Sequence, residues 1–125
     1  MKFSWNPPSL EAICRSQARL RERWPSRWRD IQLLLTYTSH VDTVGDLRSL
    51  RALQVTPLLP SVTGQEGGLT IRHEEIEMST TLLTADGRGL VLQPGDDSTG
   101  LIDPVDTLRI NGFAERSRSA NRMAG

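Results

Sequence analysis

Leu69-Thr70-Ile71-Arg72-His73 alternates apolar and polar side chains. It leads into a second run over residues 76–84, which Ala85-Asp86-Gly87-Arg88-Gly89 joins to Leu90-Val91-Leu92. A two-residue period marks strands with one buried face, and Asp-Gly between apolar runs marks a hairpin. This stretch therefore predicts an antiparallel sheet in the second half of the chain. Upstream, Val55-Thr56-Pro57-Leu58-Leu59 reads as a strand stopped by Pro60, followed by a flexible loop over Gly64-Gln65-Glu66-Gly67-Gly68. Downstream, Gln93 to Gly100 reads as a loop, Asp103-Pro104 turns the chain, and Thr107-Leu108-Arg109-Ile110-Asn111 predicts the last strand.

Toward the N-terminus the period changes. Lys2-Phe3-Ser4-Trp5 predicts a short strand, and Asn6-Pro7-Pro8-Ser9 supplies a turn and helix start. Apolar positions at Leu10, Ile13, Cys14 and Leu20 predict one helix from Leu10 to about Trp24, with Arg15, Arg19 and Arg23 as a stripe on another face. Pro25-Ser26 starts a second helix carrying Trp28, Ile31, Leu34 and Leu35, so the two form a hairpin. Thr43, with Asp46 three residues on, predicts the N-cap of a short third helix. The fold class is α+β: an N-terminal helical hairpin packed on a curved antiparallel sheet, in one domain over residues 1–115, with 116–125 as a flexible tail.

The chain has 125 residues, 15 Lys+Arg and 15 Asp+Glu, and a net charge of zero. The zero conceals a split. Residues 1–53 hold nine basic and five acidic groups, whereas 54–125 hold six and ten. Bulk attraction to polyanions is thereby excluded, while a local basic face in the first half is not. A single cysteine, Cys14, excludes an internal disulfide and predicts a buried thiol. With no long apolar run and no secretory signal, the expected compartment is the cytoplasm, and no membrane association is expected.

Chemistry-bearing motifs are few. The glycines at 64, 67 and 68 fit neither a phosphate loop nor a dinucleotide fingerprint, and hairpin flexibility is their reading. His40 and His73 lack metal-ligand spacing, and Asp96, Asp97 and Asp103 do not follow a calcium-loop pattern, so no metal and no cofactor is expected. Glu74, Glu75 and Glu77 crowd His73, a combination suited to acid–base work if it lines a cleft. Trp24 and Trp28, flanked by Arg23, Arg27 and Arg29, read first as core packing and alternatively as a protein contact site.

The pattern Leu10-x-x-Ile13-Cys14-x-Ser16-x-x-x-Leu20, with Val44-Gly45-Asp46-Leu47-Arg48-x-Leu50, Val55-Thr56-Pro57-Leu58, Gly68-Leu69-Thr70-Ile71 and Val105-Asp106-Thr107-Leu108-Arg109-Ile110, resembles the RelE/ParE toxin superfamily, nearest its HigB-like killer proteins. That resemblance implies helices on a curved antiparallel sheet and the toxin half of a toxin–antitoxin pair. Its ribosome-dependent RNases orient RNA with basic and imidazole groups. The family's His-Pro-Leu-Lys falls on Thr56-Pro57-Leu58-Leu59, its aromatic-Arg-Leu near Ile76-Glu77-Met78, and its terminal Asp-Tyr-His near Glu115-Arg116-Ser117. A carboxylate at Glu77 opposes phosphate where an RNase needs positive charge.

The expectation is a toxin-fold component acting by protein binding, with doubtful nuclease competence. Its partner, a cognate antitoxin or other protein, is expected at Arg15, Arg19, Arg23, Trp24, Arg27 and Trp28. The alternatives are a metal-independent, ribosome-dependent mRNA endonuclease using His73, Arg72, Arg109 and Arg116, and a non-toxic inhibitory or adaptor protein encoded by mobile DNA.

Overall fold

A computed structural model describes residues 1–58, 65–92 and 98–115. Its strands are β1 (Lys2–Trp5), β2 (Gln54–Leu58), β3 (Gly68–His73), β4 (Ile76–Leu83) and β5 (Thr107–Glu115). Its helices are α1 (Ser9–Arg15), α2 (Gln17–Arg23), α3 (Trp28–His40), α4 (Val44–Arg48) and α5 (Ser98–Ile102). The class is α+β. The strands form one sheet in the order β1-β5-β4-β3-β2.

The sheet is mixed rather than antiparallel. β2 to β5 pair antiparallel in sequence order, but β1 joins the far edge parallel to β5, setting Phe3 beside Leu108 and Trp5 beside Ile110. The helices between β1 and β2 carry the chain across, which a parallel pairing requires. Apolar alternation then puts Leu69, Ile71, Met78, Leu82, Leu108 and Ile110 in one buried cluster with Leu20, Ile31 and Leu34 from the helices. The opposite face carries Thr70, Arg72, Glu77, Ser79, Thr81 and Arg109, all half-buried.

The expected single helix from Leu10 to Trp24 is divided. Ser16 adopts an extended conformation (φ −112°, ψ 114°), and its hydroxyl accepts from the Arg19 amide at 3.3 Å, capping α2. A serine side chain competes with the helical backbone for its own donors, and here it wins mid-run. The Thr43 cap agrees with expectation, its hydroxyl accepting from the Asp46 amide at 3.3 Å. The start of α4 is also held from the other end of the chain. The Val44 and Gly45 amides donate to the Val105 and Asp103 carbonyls, and Arg48 pairs with Asp103 at 2.9 Å.

Three further differences have local causes. Residues 90–92 form no regular strand. They are tied by isolated bridges, Glu66 with Val91 and Leu83 with Gly89, around a turn in which Gly87 takes φ +87°. Part of the expected loop after Gln93 is the helix α5. The last strand runs past Asn111 to Glu115, because β5 absorbs a bulge: Ile110 pairs with Thr80 and Gly112 with Ser79, leaving Asn111 as the extra residue. Leu59, Pro60, Gly64, Asp96, Asp97 and the 116–125 tail lie outside the described residues.

Gly67 and Gly68 serve close packing rather than flexibility. Both are buried, and a Cβ on Gly68 would lie 2.4 Å from the Thr80 carbonyl oxygen of the neighbouring strand. Because that oxygen belongs to backbone, relief requires moving a strand. Gly68→Ala should therefore lower the free energy of unfolding by about 2–3 kcal/mol. A urea transition showing a change below about 0.5 kcal/mol would refute this packing role.

Candidate functional site

Six residues were expected to form a partner-binding surface, and the fold separates them by role. Arg27 is taken up by the structure. Its guanidinium pairs with Glu75 in the β3–β4 turn and lies 3.6 Å from Asp30, fastening the start of α3 to the sheet. Trp24 packs edge-on against Phe113 at 5.5 Å, with Arg23 5.4 Å above its ring. Arg15 is exposed and lies 3.6 Å from Glu11 one helical turn back, a pairing of small worth at that exposure.

Trp28 has a different setting. Arg21 from α2 and Arg29 from α3 each bring a guanidinium to its ring, at 5.2 and 5.1 Å. Beside it is a cleft of about 380 Å³ lined by Gln17, Trp28, Arg29, Gln32, Leu33 and Thr36. Leu33 is 43% exposed. Among the described residues, Arg19, Arg21, Arg23 and Arg29 form no ion pair with a carboxylate. Arg21 and Arg29 thus make a cationic surface beside an aromatic ring and an exposed aliphatic side chain, while Arg19 and Arg23 lie on the other side of α2. Arg21 and Leu33 were absent from the expectation. Leu33 carried a readable signal, since it falls off the Ile31, Leu34, Leu35 and Thr38 stripe and cannot share its burial.

The expected catalytic residues do not gather at one point. Arg72 and His73 are consecutive on β3 and project from opposite faces of the sheet. They line, from either side of the strand end, a cleft of about 290 Å³ together with Arg51, Ala52, Gln54 and Glu74. Arg109 shares the Arg72 face but is two strands across and four residues along β4, roughly 16 Å away by strand geometry. Arg116 lies outside the described residues.

His73 is well oriented. Its Nδ1 is 3.2 Å from the Ala52 carbonyl, which can only accept, so Nδ1 carries the proton of that bond. Tyr37 packs edge-on against the ring at 5.7 Å. Arg72 Nε donates to the Glu74 carbonyl at 2.9 Å. Glu74 adopts φ +55°, a left-handed conformation that closes the two-residue turn to Ile76. The Glu75 carboxylate is engaged by Arg27, and Glu77 stands opposite Arg72 in the β3–β4 register. Glu75 and Glu77 thus face other groups, and of the three glutamates Glu74 lines the cleft with the imidazole.

Cys14 lines a cleft between β1 and the helices with Phe3, Trp5, Arg15, Leu35, Thr36 and Ser39. The thiol is half-buried, and that burial pushes its pKa up to about 11, leaving it protonated at neutral pH. Among the described residues, no group of three or more His, Cys, Asp or Glu side chains is arranged to hold a metal ion, and no helix is long and apolar enough to cross a membrane. No protein-family model, curated protein sequence or solved structure matches the chain.

Proposed function

We propose that the chain is a toxin-fold protein of the RelE/ParE, HigB-like kind, acting in a toxin–antitoxin-like system by binding a protein partner. The sequence resemblance motivates the family, and the α+β class is compatible with it. The partner-binding half rests on one observation: the surface around Trp28, where Arg21 and Arg29 have no carboxylate partners among the described residues and Leu33 is exposed. Such a surface suits an acidic segment carrying an apolar side chain for the cleft. Aromatic and arginine side chains are the groups that dominate binding energy at protein interfaces, and uncompensated charge speeds encounter with a partner of opposite sign.

The ribonuclease alternative, as expected at His73, Arg72, Arg109 and Arg116, needs those groups to converge on one phosphodiester. A separation of roughly 16 Å between Arg72 and Arg109 weighs against it. An inhibitory or adaptor protein on the same scaffold would bind a partner without arresting growth.

The test is complex formation with the product of the small gene neighbouring its own, which is where a cognate antitoxin would be encoded. The wild-type chain should form a complex that weakens as salt rises, because exposed charges contribute to it. Arg21→Glu/Arg29→Glu should abolish it at micromolar concentration. Absence of a wild-type complex, or a complex indifferent to both substitutions, would remove the proposal. Expression of wild type and His73→Ala separates the alternatives: growth arrest with ribosome-associated mRNA cleavage that His73→Ala abolishes would favour the nuclease.

A further inference from the structure

The cleft at the end of β3 has chemistry that the partner-binding surface does not use. Strand pairing builds it, setting Gln54 of β2 opposite Arg72 of β3. Arg51, three residues before Gln54, is thereby brought beside a histidine 22 positions later in the chain. Ala52 supplies the carbonyl that orients that histidine. The lining holds two guanidinium groups, an imidazole and a carboxamide against one carboxylate, that of Glu74. Of two nearby acids, Glu75 pairs with Arg27, and Glu77 stands opposite Arg72 in the strand register.

We propose that Arg51, Arg72 and His73 form a binding site for the phosphate group of a small phosphate monoester. Three features select phosphate over other anions. A planar carboxylate offers two oxygens, which one arginine fork satisfies, whereas a terminal phosphate offers three oxygens and roughly two negative charges to donors arriving from different directions. Arg51 approaches from the turn after α4, while Arg72 and His73 flank the strand end from opposite faces. Nδ1 of His73 is committed to the Ala52 carbonyl, so Nε2 is the nitrogen that serves a ligand, and in the imidazolium it donates. The volume of about 290 Å³ lies at the small end of ligand pockets and accommodates a phosphate with its attached sugar. Arg72 is held by the Glu74 carbonyl, which limits the ordering cost of binding.

The site is a binding site only. Its lining, Arg51, Ala52, Gln54, Arg72, His73 and Glu74, contains no hydroxyl or thiol nucleophile. It is independent of the α2–α3 surface, and the two fail separately.

Amide shifts of the full-length protein, titrated with adenosine 5′-monophosphate, inorganic phosphate and adenosine, test the proposal. The monophosphate should move resonances of residues 51–54 and 72–74, and adenosine should not. Arg51→Gln and His73→Gln should each weaken monophosphate binding by at least about five-fold. Glu74→Gly removes the opposing carboxylate and suits the left-handed backbone at that position, so it should tighten binding by about two- to five-fold. Equal affinity for phosphate and monophosphate would assign recognition to the phosphate alone; tighter monophosphate binding would add a contribution from the nucleoside. Shifts confined to other residues, no binding at millimolar ligand, or affinities unchanged in all three variants would overturn the site.

Discussion

Phe113→Ala should cost about 2–4 kcal/mol of stability, well beyond the roughly 1 kcal/mol expected from deleting Asn111, whose side chain makes one hydrogen bond. That bond runs from Asn111 Nδ2 to the Thr81 hydroxyl at 2.9 Å. The larger effect comes from packing. Leu108 and Ile110 face the core, so strict alternation would put Gly112 inward next and turn Phe113 out. The extra residue in β5 resets the phase, pairing Phe113 with Met78 on the core face and setting its ring 5.5 Å from Trp24. Deleting Asn111 closes the bulge with Ile110 still opposite Thr80 and Gly112 opposite Ser79, so Phe113 keeps its face, whereas Phe113→Ala leaves Trp24 without its edge-on neighbour. Asn111→Ser retains the bulge and should cost no more than about 1 kcal/mol. Urea unfolding followed by tryptophan fluorescence compares the losses directly. Equal losses from Phe113→Ala and from deleting Asn111 would mean that Phe113 does not keep its place when the bulge closes.

The same bulge illustrates where the sequence stops being readable. Local period and capping chemistry located β1, β3, β4, α3 and the Thr43 cap closely, because each is decided by neighbours within four or five residues. The end of β5 was not legible: Asn111-Gly112 carries the same signal whether it turns the chain or bulges a strand, and the distinction lies in β4, about thirty residues away. Gly68 is similar. Its need for glycine comes from the Thr80 carbonyl across the sheet, so reading it as loop flexibility was the natural local inference. The parallel pairing of β1 with β5 joins the two ends of the described chain, and nothing within Lys2–Trp5 announces a partner near residue 107.

For the candidate sites the pattern is the same. The basic–aromatic composition around Trp28 was visible in the sequence, but which arginines stay available was not. Arg27 is removed by Glu75, 48 positions along the chain, while Arg21 is added by helix packing that turns it onto the Trp28 ring. His73 stood out as one of two imidazoles, yet its cleft companion Arg51 could be found only through the β2–β3 register. Segment charge arithmetic identified the sign of the surface, and tertiary contacts decided its membership.

Trp24→Ala and Trp28→Ala should therefore have opposite signatures, although the residues are four positions apart. Trp24 lies between α2 and β5, and losing its contact with Phe113 should lower the unfolding free energy by about 2–4 kcal/mol. Affinity of the folded fraction for the protein partner should change little. Trp28 also touches the core with part of its ring, so its removal should cost about 1–2 kcal/mol in stability. Its larger effect should be on the complex, at least about 2 kcal/mol or thirty-fold in Kd, because the two guanidinium groups lose the surface that holds them beside the cleft. Trp28→Phe keeps an aromatic face and should recover part of that loss, whereas Trp28→Leu restores apolar bulk without the ring and should recover less. Calorimetric titration of each folded variant with the partner, alongside urea unfolding, separates the two quantities. If Trp28→Ala binds within three-fold of wild type, the α2–α3 surface is not the interface, whatever Trp24→Ala does to stability.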